Sequence, residues 1–346
     1  MARLDQELEE LAKQFVCVRI IQMRGVDTSI FQFDYDLTWA GFFLNPDLTI
    51  YGRYGSRADR GDYLFTIPGL KAAMRGALEL HKGYPKNRES LKDKKGRAYP
   101  WKTPETMPSI EVQFRNKDIP KNCIHCHHVW RGVRRSLQME KKPLPDGLIW
   151  VYPMPEAIGM RINPDDGRTV AEVTAGSAAA KAGVQYGDQV ERANGQPVFS
   201  IADLQWVLHN SPDTGTVRLS VKRGSEGKEL AVPLAAGWRR SLDFTWRAST
   251  GDLRLGMMLE PMTDADRQRA GLKAGGLKVK NAGPNGPGAR AGFKTGDFLL
   301  AIDGKPVPAT EMELIAILRQ KYPLGQKVKL TAIQGGKREE VSMDIP

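Results

Sequence analysis

A chain of 346 residues exceeds what one hydrophobic core organises and fits two or three domains. Its 41% hydrophobic content is ordinary for a globular protein, and no apolar run reaches the length of a membrane span. The net charge is +11, its excess crowded between Lys82 and Arg135, and three cysteines are too few for a disulfide framework. In chain order, Met1 to Lys13 reads as an acidic, helix-like segment without the apolar core of a secretory signal. A cytoplasmic location is expected if Met1 is the true start, and a periplasmic or envelope one if an upstream signal is missing. Phe15–Ile20 reads as a buried strand, with Cys17 a small interior residue rather than a reactive thiol. Thr38–Leu44 and Ile50–Gly55 read as a hairpin about the turn Asn45–Thr49. Thr66-Ile67-Pro68 opens a helix through His81, with Leu70, Ala73, Met74, Ala77 and Leu78 on one side.

Strand, hairpin and closing helix over about residues 10–82 resemble the second half of a thioredoxin fold. The half with the redox C-x-x-C is not present there, nor is the cis-proline usual before the hairpin, where Leu37-Thr38 stands. Lys86, Arg88, Lys92, Lys94, Lys95, Arg97 and Lys102 follow. Such a run attracts nucleic acid, acidic protein or anionic lipid, but aromatics are not interleaved, and a solvated linker is the better reading.

Asn122-Cys123-Ile124-His125-Cys126-His127-His128 contains C-x-x-C-H, the pattern of covalent c-type haem attachment. Haem would use Cys123, Cys126 and His127, with Met139, Met154 or His81 as candidate sixth ligand. Zinc would use Cys123 and Cys126 with His127 or His128. A thiol–disulfide pair would use the two cysteines alone. Haem ranks first, although its attachment normally takes place outside the cytoplasm.

An internal repeat is the clearest signal. Gly183, Gly187 and Gly195 recur as Gly292, Gly296 and Gly304, each 109 residues on, within Ala-Gly, Gly-Asp and Asn/Asp-Gly-x-Pro-Val contexts. Ser200-x-x-Asp203 and Thr310-x-x-Glu313 each start a helix, with Leu204, Val207 and Leu208 in step with Leu314, Ile317 and Leu318. Alternating strands Val217-Leu219-Val221 and Val328-Leu330-Ala332 close the copies.

These runs resemble the PDZ domain in the form found in bacterial envelope proteases. The resemblance implies a carboxylate-binding loop at Ile158-Gly159-Met160-Arg161-Ile162 and at Leu255-Gly256-Met257-Met258-Leu259. It also implies a groove walled by the two helices, with Leu204 and Leu208 on the first wall, receiving protein C termini or extended peptides. Twelve more residues separate loop from repeat core in copy two, including Asp264–Gly271, a short helix expected to cover or reshape that groove. Copy one is therefore the better candidate. No Gly-x-Ser-x-Gly precedes it, and His81 is the sole histidine ahead of the cysteine motif, so proteolysis is not expected.

With Phe31–Thr38, Tyr51–Gly55 and the bridge Gly237-Trp238-Arg239 to Asp243-Phe244-Thr245-Trp246-Arg247, nearly the whole chain resembles thioredoxin-like/PDZ proteins of planctomycete type. The expected class is multidomain α+β: a partial thioredoxin-like α/β domain (1–82), a basic linker with the C-x-x-C-H motif (83–145), and two PDZ-like β-barrel or sandwich domains (146–236, 237–346). The expected function is a non-proteolytic peptide-binding adaptor with a haem or redox centre. The alternatives are a thiol–disulfide oxidoreductase with PDZ-recruited substrates and a scaffold with structural zinc. If the chain is an enzyme, an oxidoreductase is expected rather than a protease.

Overall fold

The computed structural model describes residues 5–58, 64–96, 99–114 and 123–346; Met1–Leu4, Arg97 and Asn122, named above, lie outside that set. The chain divides into two compact units, residues up to 129 with 150–242, and 130–149 with 243–346. Both mix helix and sheet, as the multidomain class requires.

In the first unit, helix α1 (Gln6–Ala12) starts at Asp5, whose carboxylate accepts the Leu8 N–H at 2.8 Å. Strands β1 (Gly41–Leu44) and β2 (Ile50–Tyr54) form the expected antiparallel hairpin. Helix α2 (Ile67–Lys82) begins at Thr66, whose hydroxyl caps Gly69 N–H, and lays Ala73, Met74 and Ala77 on Phe43, Tyr51 and Tyr54. The strand expected at Phe15–Ile20 does not form. Val16 is 93% exposed and Val18 81%, and Cys17 is exposed rather than interior. Branched residues suit a strand, but a strand needs a neighbour, and among the described residues 5–114 the one sheet is the two-stranded hairpin. A thioredoxin-like domain is therefore not shown.

Helices α3 (Pro108–Phe114), α4 (Cys126–Met139) and α5 (Asp146–Ile149) follow, α4 starting in the first unit and continuing into the second. Copy one then supplies β3 (Met160–Ile162), β4 (Val170–Val173), α6 (Ala178–Lys181), β5 (Gln189–Ala193), β6 (Gln196–Pro197), α7 (Ile201–Asn210), β7 (Gly215–Arg223) and β8 (Glu226–Leu234). β3 pairs with β4 alone, and the larger sheet runs β6-β5-β7-β8. Ser200 caps α7 by accepting the Asp203 N–H at 3.1 Å, as its spacing predicts.

The N-terminal elements and copy one share a core. Phe199, just ahead of α7, sits in the cluster that holds Leu8, Leu11, Phe43 and Met74, leaving no room for a side chain at Gly52 or Gly76. The supposedly solvated basic stretch contributes to this junction. Lys94 is 1% exposed, with its Nζ 2.8 Å from Asp203 Oδ1, and Asp203 also accepts the Arg53 N–H at 3.2 Å. Arg53 donates to Gln32 O and Lys94 O and lies 3.7 Å over the Trp206 ring. Burial pulls its guanidinium down to about 10, so it stays charged at neutral pH.

The second unit repeats the plan with β9 (Met257–Pro261), α8 (Asp264–Ala270), β10 (Leu277–Ala282), α9 (Pro287–Arg290), β11 (Phe298–Ile302), β12 (Lys305–Pro306), α10 (Glu311–Lys321), β13 (Lys327–Gln334) and β14 (Lys337–Asp344). Its sheet runs β14-β13-β11-β10-β9, with β12 on β11. Leu314 and Leu318 of α10 pack with Leu299, Val328 and Leu330 in the core.

Candidate functional site

The two loops after the lead-in segments carry the chemistry. Gly159 has φ +86° and Gly256 φ +74°, a region that side chains rarely enter. A Cβ at Gly159 would stand 2.1 Å from that of Ser177, and one at Gly256 2.3 Å from Pro287 Cδ. Each glycine therefore lets the chain reverse tightly into an edge strand.

The register shows what those edges offer. Val170 gives its N–H to Asp188 O and its C=O to Gly187 N, both directed away from β3. Its antiparallel partner Ile162 must then send its own N–H and C=O to the unpaired edge. Copy two repeats this: Val279 is bonded to Asp297 O and Gly296 N, so its partner Leu259 faces outward. The loop positions Ile158, Met160, Leu255 and Met257 are buried, while Arg161 and Met258 face solvent, Arg161 paired with Glu172 at 2.8 Å.

The helices opposite are engaged differently from expectation. Leu204 and Leu208 are 1% exposed, and their counterparts Leu314 and Leu318 are core residues, so these leucines hold the helix down. The neighbouring helical stripe, Ile201, Gln205 and His209, carries the polar contacts. Gln205 Nε2 donates to Tyr152 O at 3.0 Å, Ser56 Oγ donates to Gln205 Oε1, and Tyr152 N–H reaches His209 Nδ1 at 3.4 Å. The Tyr152 ring stacks on His209 at 4.2 Å and 17°, from a residue held at φ +46°. Burial drives the Tyr152 phenol well above its ordinary value, so it stays neutral. The lead-in to loop one thus lies pinned along its groove helix.

In copy two Arg319, the position matching His209, does the pinning. Its guanidinium donates to Leu253 O at 2.9 Å, Arg254 O at 3.3 Å and Pro346 O at 2.7 Å. At the other end of α10, Glu311 Oε1 accepts both the outward Leu259 N–H at 2.9 Å and Arg254 Nε at 3.0 Å. Copy one has Ile201 at that position, and among the described residues nothing accepts the Ile162 N–H. The helix expected to reshape groove two does not lie over it. α8 sets Met262 and Ala270 against Phe298 and Leu300, in a cluster separate from the one containing Leu314 and Leu318. The sequence reading missed Glu311, Arg254, Gln205 and His209; the pairing of Glu311 with Ile201 across the repeat was the available signal.

In the cysteine motif the two thiols are unpaired with each other and the histidines cluster at the start of α4. Cys123 and Cys126 are free and half-buried on either side of Ile124, which is wholly buried, and Cys126 begins α4. Burial pushes the Cys126 thiol up, opposite to what a nucleophilic thiolate needs. His125 N–H donates to His128 Nδ1 at 3.1 Å, and the rings of His127 and His128 meet edge-on at 4.4 Å. Among the described residues no three His, Cys, Asp or Glu side chains converge to hold a metal ion.

The PDZ domain family matches residues 156–234, and a second PDZ family matches 278–331, so the two copies are PDZ domains, PDZ1 and PDZ2. A probable periplasmic serine endoprotease DegP-like from Pseudomonas savastanoi is 27% identical over 183 residues, 52% of this chain and 37% of that protein. Periplasmic serine endoprotease DegP of Salmonella typhimurium is 27% identical over 44% of this chain and 29% of its own. Magnetosome formation protease MamE of Magnetospirillum gryphiswaldense is 31% identical over 38% and 15%. The chain thus spans less than two-fifths of the length of these relatives. Among solved structures, the HtrA-type protease AlgW with decapeptide aligns at 17% identity and TM-score 0.24, covering 37% of this chain and 40% of that one. The HtrA3 PDZ domain bound to the phage-derived ligand FGRWV aligns at 20% and 0.22, covering 27% and 84%. Kinship with serine endoproteases conflicts with a non-proteolytic adaptor built around a haem or redox centre, and that expectation is withdrawn. The oxidoreductase alternative and the thioredoxin and haem-redox associations go with it.

Proposed function

We propose that this chain provides client recognition for a DegP-like serine endoprotease system of the bacterial periplasm, with PDZ1 receiving extended or C-terminal peptide segments. Ile162 carries the reading. Its N–H faces an edge that no described strand covers, directly after the left-handed turn at Gly159. An incoming peptide adds beside β3 as a further antiparallel strand, and its terminal carboxylate meets the loop N–H groups at Ile158–Met160. Entry displaces Tyr152 from Gln205 and His209, so side chains that now hold the lead-in become available to the ligand.

The test is amide-resolved NMR of the full chain titrated with a decapeptide library randomised in its last four residues and carrying free carboxylates. The Ile162 amide is expected to shift, and the shift to vanish in Gly159→Ala. No response at about 1 mM peptide, an affinity floor near −4 kcal/mol, would refute the reading. Cell fractionation tests the compartment: recovery from the cytosol alone refutes the periplasmic assignment.

A further inference from the structure

The two grooves differ at one helix position, and the difference has a chemical meaning. In PDZ2 the Leu259 N–H, the donor that an added peptide strand would use, is already taken by the Glu311 carboxylate. Glu311 is 4% exposed, and its charge is balanced by Arg254, which also donates to Thr245 O at 2.7 Å. Arg254 immediately precedes the Leu255-Gly256-Met257 loop. In PDZ1 the matching positions are Ile201 and Ala157, which can make neither contact.

We propose that PDZ2 is a self-ligated peptide site: Glu311 stands where a bound peptide's backbone carbonyl would stand, and the Glu311–Arg254 pair holds the groove closed. The proposal rests on reading the PDZ pair as peptide-recognition modules. The ligand class follows from the charge. A peptide carbonyl alone replaces Glu311 at the Leu259 N–H but leaves Arg254 without an anion in a nearly dry site, which is costly. A peptide ending in a free carboxylate satisfies both groups. PDZ2 therefore selects free C termini over internal segments, and binds more weakly than the same groove without its resident carboxylate. A charge-assisted hydrogen bond must be broken for entry, so its removal strengthens binding about tenfold or more.

The experiment uses the full chain and the same decapeptide library, with a C-terminally amidated library beside it. Amide exchange and chemical shifts are read at Leu259 for PDZ2 and at Ile162 for PDZ1. In the wild type the Leu259 amide is expected to be protected without peptide. In Glu311→Ala it exchanges at least about tenfold faster, and the carboxylate library binds there about tenfold or more tightly. Glu311→Gln keeps the side chain's size and guards against a folding artefact, and retained protection at Leu330 certifies the core of each variant. Arg254→Met is expected to bind free and amidated libraries alike. Equal binding at Leu259 in wild type and Glu311→Ala overturns the proposal, as does a folded Glu311→Ala that takes no peptide at Leu259. A silent Ile162 with a responsive Leu259 refutes the PDZ1 reading and leaves the latch standing.

Discussion

Replacing Lys94 by methionine removes the cation paired with the buried Asp203 carboxylate. Lys94 and Asp203 are each 1% exposed and 2.8 Å apart, and burial lowers the Lys94 pKa although Asp203 opposes that shift. Deleting one partner of a buried pair costs about 3–5 kcal/mol, because the other charge is left uncompensated. Asp203 keeps two backbone donors, Arg53 N–H at 3.2 Å and Phe199 N–H at 3.4 Å, which places Lys94→Met near the lower end, about 3 kcal/mol. Lys94→Met combined with Asp203→Asn removes both charges and keeps an amide oxygen for one of those two donors. The double variant is therefore less destabilised than the sum of the singles, with a coupling of at least about 1 kcal/mol. Urea unfolding of the full chain supplies the energies, and amide exchange at Tyr51–Tyr54 and at Val217–Val221 reports the hairpin and PDZ1 separately. Both sets are expected to lose protection together, because the pair lies where the two share a core. A coupling under about 0.5 kcal/mol, or hairpin amides that loosen while those of β7 stay protected, would refute the claim that they fold as one unit.

The pH dependence of the first unit is expected to carry the mark of Asp188. Burial alone would raise its carboxyl, but Arg223, gripping it at 2.7 and 2.8 Å, and the Gln185 N–H at 2.9 Å hold it below its ordinary value. A lowered native pKa stabilises above the unfolded value near 3.8 and is lost as pH falls through the native one. Asp188→Asn should flatten that acid limb and cost about 1–3 kcal/mol at pH 7, measured by urea titration. Cys126 is expected to alkylate with iodoacetamide at pH 7 more slowly than a free cysteine model, followed by mass spectrometry; a faster reaction would contradict its raised pKa. Phe199→Ala, a large-to-small change in the shared cluster, should cost about 3–5 kcal/mol and move the hairpin and PDZ1 melting transitions together in calorimetry.

Much of PDZ1 and PDZ2 was legible because their signals are local. Ser200 and Thr310 cap helices where their spacing puts them, and the alternating segments Val217–Val221 and Val328–Ala332 lie in strands. The strand at Phe15–Ile20 failed because branched residues state a propensity, whereas a strand also requires a neighbour to supply hydrogen bonds. Lys94 sits in a run of charges that composition alone assigns to solvent, and its partner lies 109 residues further along. A separation of 52 residues from Leu259 likewise hid Glu311, which looked like an ordinary first-turn carboxylate favoured by the helix dipole. Its reach to Leu259 depends on how closely β9 approaches α10, a property of packing rather than pattern.

Divergence between the copies reaches the positions where ligands would enter as well as the sheet and helix around them. Residues that keep each fold upright are retained in kind: Leu204 and Leu208 answer to Leu314 and Leu318, Asp188 to Asp297, Asn194 to Asp303. Asn194 and Asp303 both hold positive φ and both accept a strand N–H, from Arg218 and Lys329. The groove positions change chemical class instead, Ile201 becoming Glu311, His209 becoming Arg319 and Ala157 becoming Arg254. A buried glutamate and a buried arginine persist only when each satisfies the other, so Glu311 and Arg254 are best understood as a matched pair. That pairing makes PDZ2 a groove whose occupancy is decided inside the chain, beside a PDZ1 groove whose edge donor still awaits a partner.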